Sequence, residues 1–148
     1  MTITYILDHG LDNLAATYAS DGVRTRVLDV SSSSYCQGAV DEAGQVDILI
    51  NNAGASTGLI RDEHLNRSVD LDDVTPDFWD YFVGTNFFGP WCLIRACVPA
   101  MRARKWGRVI NVTTSLSAML RAIFHPYGPA KAGMEAMSAG HAGRFAKD

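Results

Sequence analysis

Short β-type runs alternate with longer helical patterns along the whole of this 148-residue chain. The run from Thr2 to Leu7 is rich in β-branched residues, and the segment from Leu11 to Ser20 spaces its apolar residues as one face of a helix would. The run from Arg24 to Val30 alternates charged and apolar residues, and the serines after it can cap a short helix that continues through Glu42. This alternation predicts an open, mostly parallel α/β sheet.

Two later runs extend the same pattern. Val46 to Ile50 and Arg108 to Val112 are both rich in apolar residues, which predicts strands covered on both faces. Between them, the polar and irregular stretch from Arg61 to Asp73 is typical of a loop or lid. Helical sequence resumes at Tyr127. No repeat or linker interrupts the alternation, so the sequence predicts one domain.

The segment between Thr75 and Arg104 predicts a long helix. It begins with a capping hydroxyl on Thr75, a proline at the first helical position and an early acid. Proline lacks the backbone N–H that a helix interior uses. We therefore expect Gly89-Pro90 and Pro99 to bend or break this helix.

The charge balance of the chain excludes several kinds of partner. The net charge is -3 and neither sign forms a run longer than a few residues, so no basic surface for nucleic acid or anionic lipid is expected. Hydrophobic residues make up 47% and charged residues 20% of the chain, which is typical of a soluble globular protein. We expect the partners to be small molecules or other subunits.

The cysteines and the apolar stretches indicate the compartment. Cys36, Cys92 and Cys97 show neither the CxxC nor the Cys/His spacing that zinc needs, so we expect buried free thiols and no metal site. The N-terminal residues do not resemble a signal peptide, and the apolar stretch from Phe87 to Ile94 is too short to span a bilayer. These features favour a cytoplasmic protein that has no membrane partner.

Polar residues follow three of the predicted strands. In parallel α/β sheets, ligands bind beyond the carboxyl ends of the strands. "NNAG" (Asn51 to Gly54) and "TTS" (Thr113 to Ser115) each follow an apolar run, and Asp29 and Val30 end an earlier one. Each of these segments alone is also compatible with an ordinary turn, a helix cap or the end of a half-exposed strand.

The pair Tyr127 and Lys131 gives these strand ends a possible chemistry. Their spacing places the two side chains on one face of a helix, about one turn apart. A free tyrosine has a pKa of about 10, and a neighbouring ammonium favours the phenolate, so we expect Tyr127 to be a usable acid or base. A hydroxyl from Thr114 or Ser115 could then hold a carbonyl oxygen while the proton moves.

Several motifs of the chain resemble those of the short-chain dehydrogenase/reductase family. The resemblance covers nearly the whole chain and lies in the order and spacing of "LDV", "NNAG", "TNFFG", "GRVINVTTS" and "YGPAKAG". It implies a doubly wound Rossmann-type parallel sheet, so residues 1–148 are expected to form a partial Rossmann-fold dehydrogenase domain. It also implies NAD or NADP as cofactor, with hydride transfer between that cofactor and an alcohol or carbonyl carbon.

The resemblance also implies roles for individual residues. Tyr127 is similar to the acid/base of the family, and Lys131 to the group that lowers the pKa of that tyrosine and holds the nicotinamide ribose, so both also contact the cofactor. Asn86 resembles the asparagine that anchors a water in the proton relay, although a buried amide that contacts a backbone group would look the same. For the catalytic hydroxyl, the spacing of the family favours Thr114 and the usual residue type favours Ser115, and both are retained.

The remaining implied roles concern the adenosine half of the cofactor. Three residues would line the adenosine side: Asn52, Ala53 and Gly54. Asp29 and Val30 would flank the adenine. Asp8 resembles an acid that bonds the ribose 2′-OH, which favours NAD over NADP.

The chain departs from the family pattern at both ends. No strand with a glycine-rich turn precedes Thr2, and no Gly-x-x-x-Gly-x-Gly occurs, although the family uses such a turn to hold the cofactor pyrophosphate. The later strands and a substrate loop expected after Asp148 are also missing. In the order 3-2-1-4-5-6 the absent first strand is central, so each half of the sheet should expose an apolar edge. We therefore expect a truncated form of a longer enzyme.

A non-catalytic alternative rests on the aromatic segment from Phe78 to Val98. This segment carries more apolar surface than one helix face can bury. The resemblance implies that the corresponding helix of the complete protein forms a dimer or tetramer interface, so a homo-oligomer is expected. The alternative to an oxidoreductase is thus a truncated remnant that acts through oligomerisation. A third possibility, nucleotide binding without turnover, would need a pyrophosphate site that the sequence does not show.

Overall fold

The computed structural model describes residues 2–5, 11–62, 69–121 and 124–145, with the first of these ranges described by its backbone. The strands of this part of the chain are β1 (Thr2–Tyr5), β2 (Arg24–Val27), β3 (Ile48–Asn51) and β4 (Arg108–Asn111). The α-helices are α1 (Leu11–Thr17), α2 (Ser33–Ala43), α3 (Pro76–Val83), α4 (Gly89–Ala103), α5 (Leu116–Met119) and α6 (Tyr127–Phe145). Strands and helices alternate as the sequence predicts.

The strands pair in parallel, in two separate pairs. β1 pairs with β2 in a register that runs from Thr2 opposite Arg24. β3 pairs with β4 in a register that runs from Ile48 opposite Arg108 to Asn51 opposite Asn111. Within the described ranges, no ladder of hydrogen bonds joins the two pairs. This matches the expected sheet, which lacks its central strand.

The polar residues that the sequence marks as helix caps fulfil that role. Ser32 begins α2, where its Oγ accepts a hydrogen bond from the Tyr35 amide. Thr75 begins α3, where its Oγ1 accepts from the Phe78 amide at 3.2 Å. Each hydroxyl satisfies an amide that has no partner inside the helix. The predicted helix starts are therefore confirmed, although α1 ends at Thr17, three residues earlier than predicted.

We expected Gly89-Pro90 and Pro99 to bend or break the long helix, and the structure shows no break at Pro99. α3 continues through a π-helical turn over Gly84–Phe88 into α4, and Pro99 lies inside α4. Buried residues on both sides of this proline, Ile94 and Met101 among them, hold the helix against the rest of the protein. Packing of this kind offsets the cost of about 3 kcal/mol that proline brings to a helix interior.

The prediction that β3 and β4 are covered on both faces is also wrong. Ile48, Ile50 and Ile110 are 53%, 59% and 47% exposed. The opposite face of the strand pair carries Asn51 and Asn111, and α6 packs there. Among the described residues, helices therefore cover one face of this strand pair, because apolar sequence favours burial but does not supply the element that buries it.

The main core cluster lies between α2 and α4. It joins residues that follow β2, which ends at Val27 and not at the predicted Val30, to residues on both helices. Its buried members are Leu28, Val30, Cys36, Ala39 and Cys92. This packing fixes the end of β2 against the first half of α4. The segment that carries Asp29 and Val30 is therefore held in place by this packing.

The cysteines and the hydropathy can also be compared with expectation. Cys36, Cys92 and Cys97 are buried free thiols, as predicted. In the part of the chain that the structure describes, no helix is long and apolar enough to cross a membrane.

Candidate active site

Tyr127 and Lys131 lie on one face of the first turns of α6. The Lys131 ammonium nitrogen is 5.8 Å from the centroid of the Tyr127 ring. Lys131 is 3% exposed, and its Nζ donates a hydrogen bond of 2.8 Å to the Val112 carbonyl, just after β4. The structure thus brings the predicted pair together at the carboxyl end of a parallel strand.

The environment of Lys131 weakens its hold on a proton. Burial disfavours the charged form, and it lowers the pKa of Lys131 below the ordinary value of 10.5. No carboxylate hydrogen-bonds to Nζ among the described residues; its bonded acceptor there is the neutral Val112 carbonyl. An ammonium group has three N–H donors, so this one bond leaves donors for a ligand.

Asn86 lies in the π-helical turn and is fully buried. Its Nδ2 donates to the Ala55 carbonyl, and its Oδ1 accepts from the Ala55 amide, each at 3.1 Å. The side chain therefore clamps the residue that directly follows "NNAG". This is the contact between a buried amide and a backbone group that the sequence left open. It fixes the loop after β3.

Gly54 brings that loop to the Tyr127 and Lys131 pair. A β-carbon at Gly54 would lie 2.9 Å from Asn86 Oδ1 and 3.5 Å from Lys131 Nζ. Only a residue without a side chain permits so close an approach. The neighbouring residues Asn52 and Ala53 are exposed and have no regular secondary structure. The loop therefore presents open backbone beside the lysine.

The two candidate hydroxyls have different surroundings. Ser115 begins α5, and its Oγ accepts from the Ala118 amide at 3.3 Å and lies 3.0 Å from Ser117 Oγ. Thr114 is half-buried one residue earlier. The Ser115 hydroxyl thus acts as a helix cap, one of the alternatives that the sequence allowed.

The predicted adenine residues lie just after β2. Asp29 Oδ1 accepts from the amide and the hydroxyl of Ser31 at 2.9 and 2.7 Å. Val30 is buried, and a β-carbon at Gly89 would meet it at 2.9 Å. The described contacts of this pair are therefore with Ser31, α2 and α4, not with the Tyr127 cluster. Asp8 lies outside the described residues.

Sequence reasoning assigned no role to three polar residues that support the site, although one of them, Asn51, opens the motif "NNAG". Asn51 Nδ2 donates to Asn111 Oδ1 at 2.7 Å, and Asn111 Nδ2 donates to Ser138 Oγ at 2.7 Å. The available signal was an asparagine at the end of each strand of the pair, and a serine seven residues after Lys131 on the same helix face.

Two surface depressions lie along α3, and neither is lined by Tyr127 or Lys131. One, of about 500 Å³, is lined by residues that include Leu59, Phe78 and Tyr81. The other, of about 380 Å³, is lined by residues that include Trp79 and His125. Both are lined mainly by exposed or half-buried side chains of α3 and the loops next to it.

The predicted lid begins and ends at an ion pair. Arg61 contacts Asp73, and the Asp73 carboxylate also accepts from the Asp70 amide at 2.9 Å. The pair holds the two ends of this polar stretch together. Residues 63–68, between them, lie outside the described residues.

Comparison with known proteins identifies the class of protein. The profile of the short chain dehydrogenase family matches residues 6–148. A 3-oxoacyl-(acyl-carrier-protein) reductase FabG from Pseudomonas aeruginosa is 34% identical over 132 residues, which are 85% of this chain and 49% of that protein. A putative ketoacyl reductase of the monensin polyketide synthase from Streptomyces virginiae is 32% identical over 78% of this chain and 43% of that protein. The chain belongs to the short-chain dehydrogenase family.

Solved structures agree with this assignment. A short-chain dehydrogenase from Streptomyces avermitilis matches 99% of this chain and 51% of its own chain, with 29% identity and a TM-score of 0.81. A gluconate 5-dehydrogenase from Burkholderia cenocepacia, in complex with NADP and tartrate, matches 98% of this chain and 55% of its own, with 27% identity and a TM-score of 0.78. The fold is thus an incomplete α/β sheet of the Rossmann type. The chain spans about half the length of the curated relatives that it matches.

Proposed function

We propose that this chain carries the catalytic residues of an NAD(P)-dependent oxidoreductase that interconverts an alcohol and a carbonyl compound. The observation that supports this most directly is the buried Lys131 ammonium, fixed by the Val112 carbonyl beside the Tyr127 ring. A surface pair of this spacing would be solvated and free to move. Here the lysine is held in one place, at the strand end where ligands of such sheets bind.

The residues present fit one end of a nicotinamide cofactor. Gly54 leaves open the space that a β-carbon would fill beside Lys131. In the proposal, Lys131 donates hydrogen bonds to the nicotinamide ribose through the N–H groups that Val112 leaves available. The bound nicotinamide would supply or accept the hydride.

For the adenosine half of the cofactor, the proposed residues are those that the family resemblance implies. Asp29 and Val30 flank the adenine, and the backbone of the loop after β3 lines the adenosine. Asp8 bonds the ribose 2′-hydroxyl, which favours NAD over NADP. The gluconate 5-dehydrogenase relative was solved with NADP, so both cofactors belong in the test.

The proton follows a separate route through the chain's own residues. In reduction, the Tyr127 hydroxyl gives its proton to the carbonyl oxygen as the carbon accepts the hydride, and in oxidation the tyrosine takes the proton back. Asn86 fixes the loop after β3 and is the proposed anchor of a relay water. We assign the hydrogen bond that holds the substrate oxygen to Thr114, because Ser115 Oγ caps α5 and also lies 3.0 Å from Ser117 Oγ, which can take up its O–H.

The experiment that tests this function measures oxidation of NADH and of NADPH in the presence of a 3-oxoacyl thioester. That substrate class is chosen because two of the relatives are named as ketoacyl or 3-oxoacyl reductases. Tyr127→Phe should lower kcat by about 10²-fold to 10⁴-fold, the usual contribution of a positioned acid/base. Tyr35→Phe is the matched control, because Tyr35 is 59% exposed on α2. A Tyr127→Phe protein that is as active as Tyr35→Phe would contradict the proposal.

A second pair of variants assigns the hydroxyl. Thr114→Val should abolish most turnover, whereas Ser115→Ala should keep it and lose about 1 kcal/mol of stability with the helix cap. The reverse result would assign the role to Ser115.

The alternative function, association without catalysis, has one observation in its favour. Trp79, Phe88 and Trp91 are 44%, 39% and 37% exposed, and the rings of Phe88 and Trp91 stack with centroids 5.6 Å apart. Exposed aromatic groups of this kind are typical of interfaces. Sedimentation of the purified chain decides this alternative. A homo-oligomer that Trp91→Ser dissociates, together with no turnover in any assay, would favour it.

A further inference from the structure

A chain of short hydrogen bonds crosses from α6 to the ends of β3 and β4. Ser138 Oγ donates to the Met134 carbonyl at 2.7 Å and accepts from Asn111 Nδ2 at 2.7 Å. Asn111 Oδ1 in turn accepts from Asn51 Nδ2 at 2.7 Å. Asn51 is 5% exposed. Asn111 and Ser138 are half-buried, and Ser138 Oγ is the described acceptor of the Asn111 amide.

A second contact joins the same helix to the same strand. Lys131 Nζ donates to the Val112 carbonyl, and the Val112 amide donates to the Asn51 carbonyl at 2.9 Å. Val112 is therefore fixed to β3 on one side and to α6 on the other. The two contacts of α6 end on adjacent residues of the strand, Asn111 and Val112.

Two attachment points fix a helix more completely than one. Ser138 and Lys131 are seven residues apart, so they lie on one face and about 10 Å apart along the helix axis. A helix held at one point can still slide or rotate about that point. In α6, the burial of Met134 and the contact of Gly128 with α5 limit this motion, and the bond between Ser138 and Asn111 adds a directional constraint on where the Lys131 nitrogen lies.

We propose that Ser138 is a positioning residue, which acts through Asn111 to fix α6 along β4 and so holds the Lys131 ammonium beside Tyr127. The consequence for turnover rests on the proposed function, whereas the position of Lys131 does not. In the described hydrogen bonds, the side chain of Ser138 contacts Asn111 and Met134, and it contacts neither Lys131 nor Tyr127. Its effect must therefore travel through the helix.

The first test reads the position of Lys131 directly. The chain contains three lysines, Lys105, Lys131 and Lys147, so ¹³C-labelled lysine gives few side-chain signals, and Lys131→Arg identifies the relevant one. In Ser138→Ala, the Lys131 signal should move, and its titration midpoint should rise toward the ordinary lysine value because a loosened helix admits water. Ser138→Thr keeps the hydroxyl and should restore the wild-type signal.

Controls separate positioning from a loss of stability. Ser20→Ala removes an exposed hydroxyl at the end of the α1 region, and it should leave the Lys131 signal unchanged. If Ser138→Ala does not fold, Ser138→Cys provides the same comparison, because a thiol has a similar shape but bonds weakly. A folded Ser138→Ala or Ser138→Cys protein whose Lys131 signal and titration match wild type would overturn the proposal.

Measurement of turnover provides a second test, which is independent of the Lys131 signal. If the wild-type chain turns over, Ser138→Ala should lower kcat by about tenfold to a hundredfold, as misplacement of a catalytic group does, with a smaller change in the substrate KM. A fall in kcat that Ser138→Thr does not restore would contradict the positioning role. If no variant turns over, the proposed function fails, and the lysine signal alone still decides whether Ser138 positions Lys131.

Discussion

Gly54 and Asn86 lie so close that a β-carbon on the glycine would sit 2.9 Å from the amide oxygen of the asparagine. Asn86 cannot turn aside easily, because both ends of its amide bond to the backbone of Ala55. Gly54→Ala should therefore lower the free energy of unfolding by about 1–3 kcal/mol, the usual cost of overpacking. It should also weaken cofactor binding. Urea unfolding measures the first effect, and quenching of NADH fluorescence the second.

Gly140→Ala is the matched control for this substitution. Nothing lies within 4 Å of a β-carbon at Gly140, which is exposed on α6. Alanine is the better helix former by about 0.8–1 kcal/mol, so this variant should be at least as stable as wild type. Equal stabilities for Gly54→Ala and Gly140→Ala would show that the loop after β3 is not held against Asn86.

The sequence predicts the neighbourhood of Tyr127, Lys131 and Gly54 because two simple rules determine it. Helical spacing places the tyrosine and lysine on one face, and parallel strands end at one edge of the sheet. These rules need no knowledge of distant side chains. The separation of the strands into two parallel pairs follows from a different source, the strand order 3-2-1-4-5-6 that the family resemblance implies, in which the absent strand is central.

Other features depend on tertiary partners and escape such rules. The exposure of Ile48 and Ile50 depends on which helices cover the strand pair, not on the strand's own residues. The bond between Asn111 and Ser138 joins residues 27 positions apart, and no local pattern specifies it. Pro99 stays inside α4 because of packing that a proline rule ignores.

Gly128 should tolerate substitution even less than Gly54. It follows Tyr127 in the first turn of α6, and a β-carbon there would lie 2.2 Å from the backbone oxygen of Met119. A backbone atom cannot rotate out of the way, so α5 and α6 would have to separate. Gly128→Ala should destabilise the protein by about 3 kcal/mol or more, at the upper end of overpacking effects. A melting temperature close to wild type would contradict this contact.

The three thiols should be inert in the native protein. Burial raises the pKa of Cys36 to about 12 and that of Cys97 to about 11, and burial also raises the pKa of Cys92. The thiolate is the reactive form, and little of it exists near neutral pH. Titration with an aromatic disulfide should therefore detect almost no thiol before unfolding and all three after it. Tyr35→Cys places a thiol at an exposed position and should add one rapidly reacting group; a fast reaction without it would contradict the burial.

The pH dependence of stability should reveal the burial of Lys131. Its pKa is lowered from 10.5 in the folded protein, so between the lowered value and 10.5 the unfolded chain binds more protons than the folded chain. Stability contributed by this group therefore rises with pH across that window, and the cost of burying the charge is fully present below it. Lys131→Met removes the titrating group, so the stability of the variant relative to wild type should fall as pH is raised from neutral toward 10.5. Urea unfolding of both proteins at several pH values measures this slope, which is independent of the constant loss of the bond to Val112. A difference that stays flat with pH would mean that the lysine is hydrated, and a hydrated lysine would not be held in place beside Tyr127.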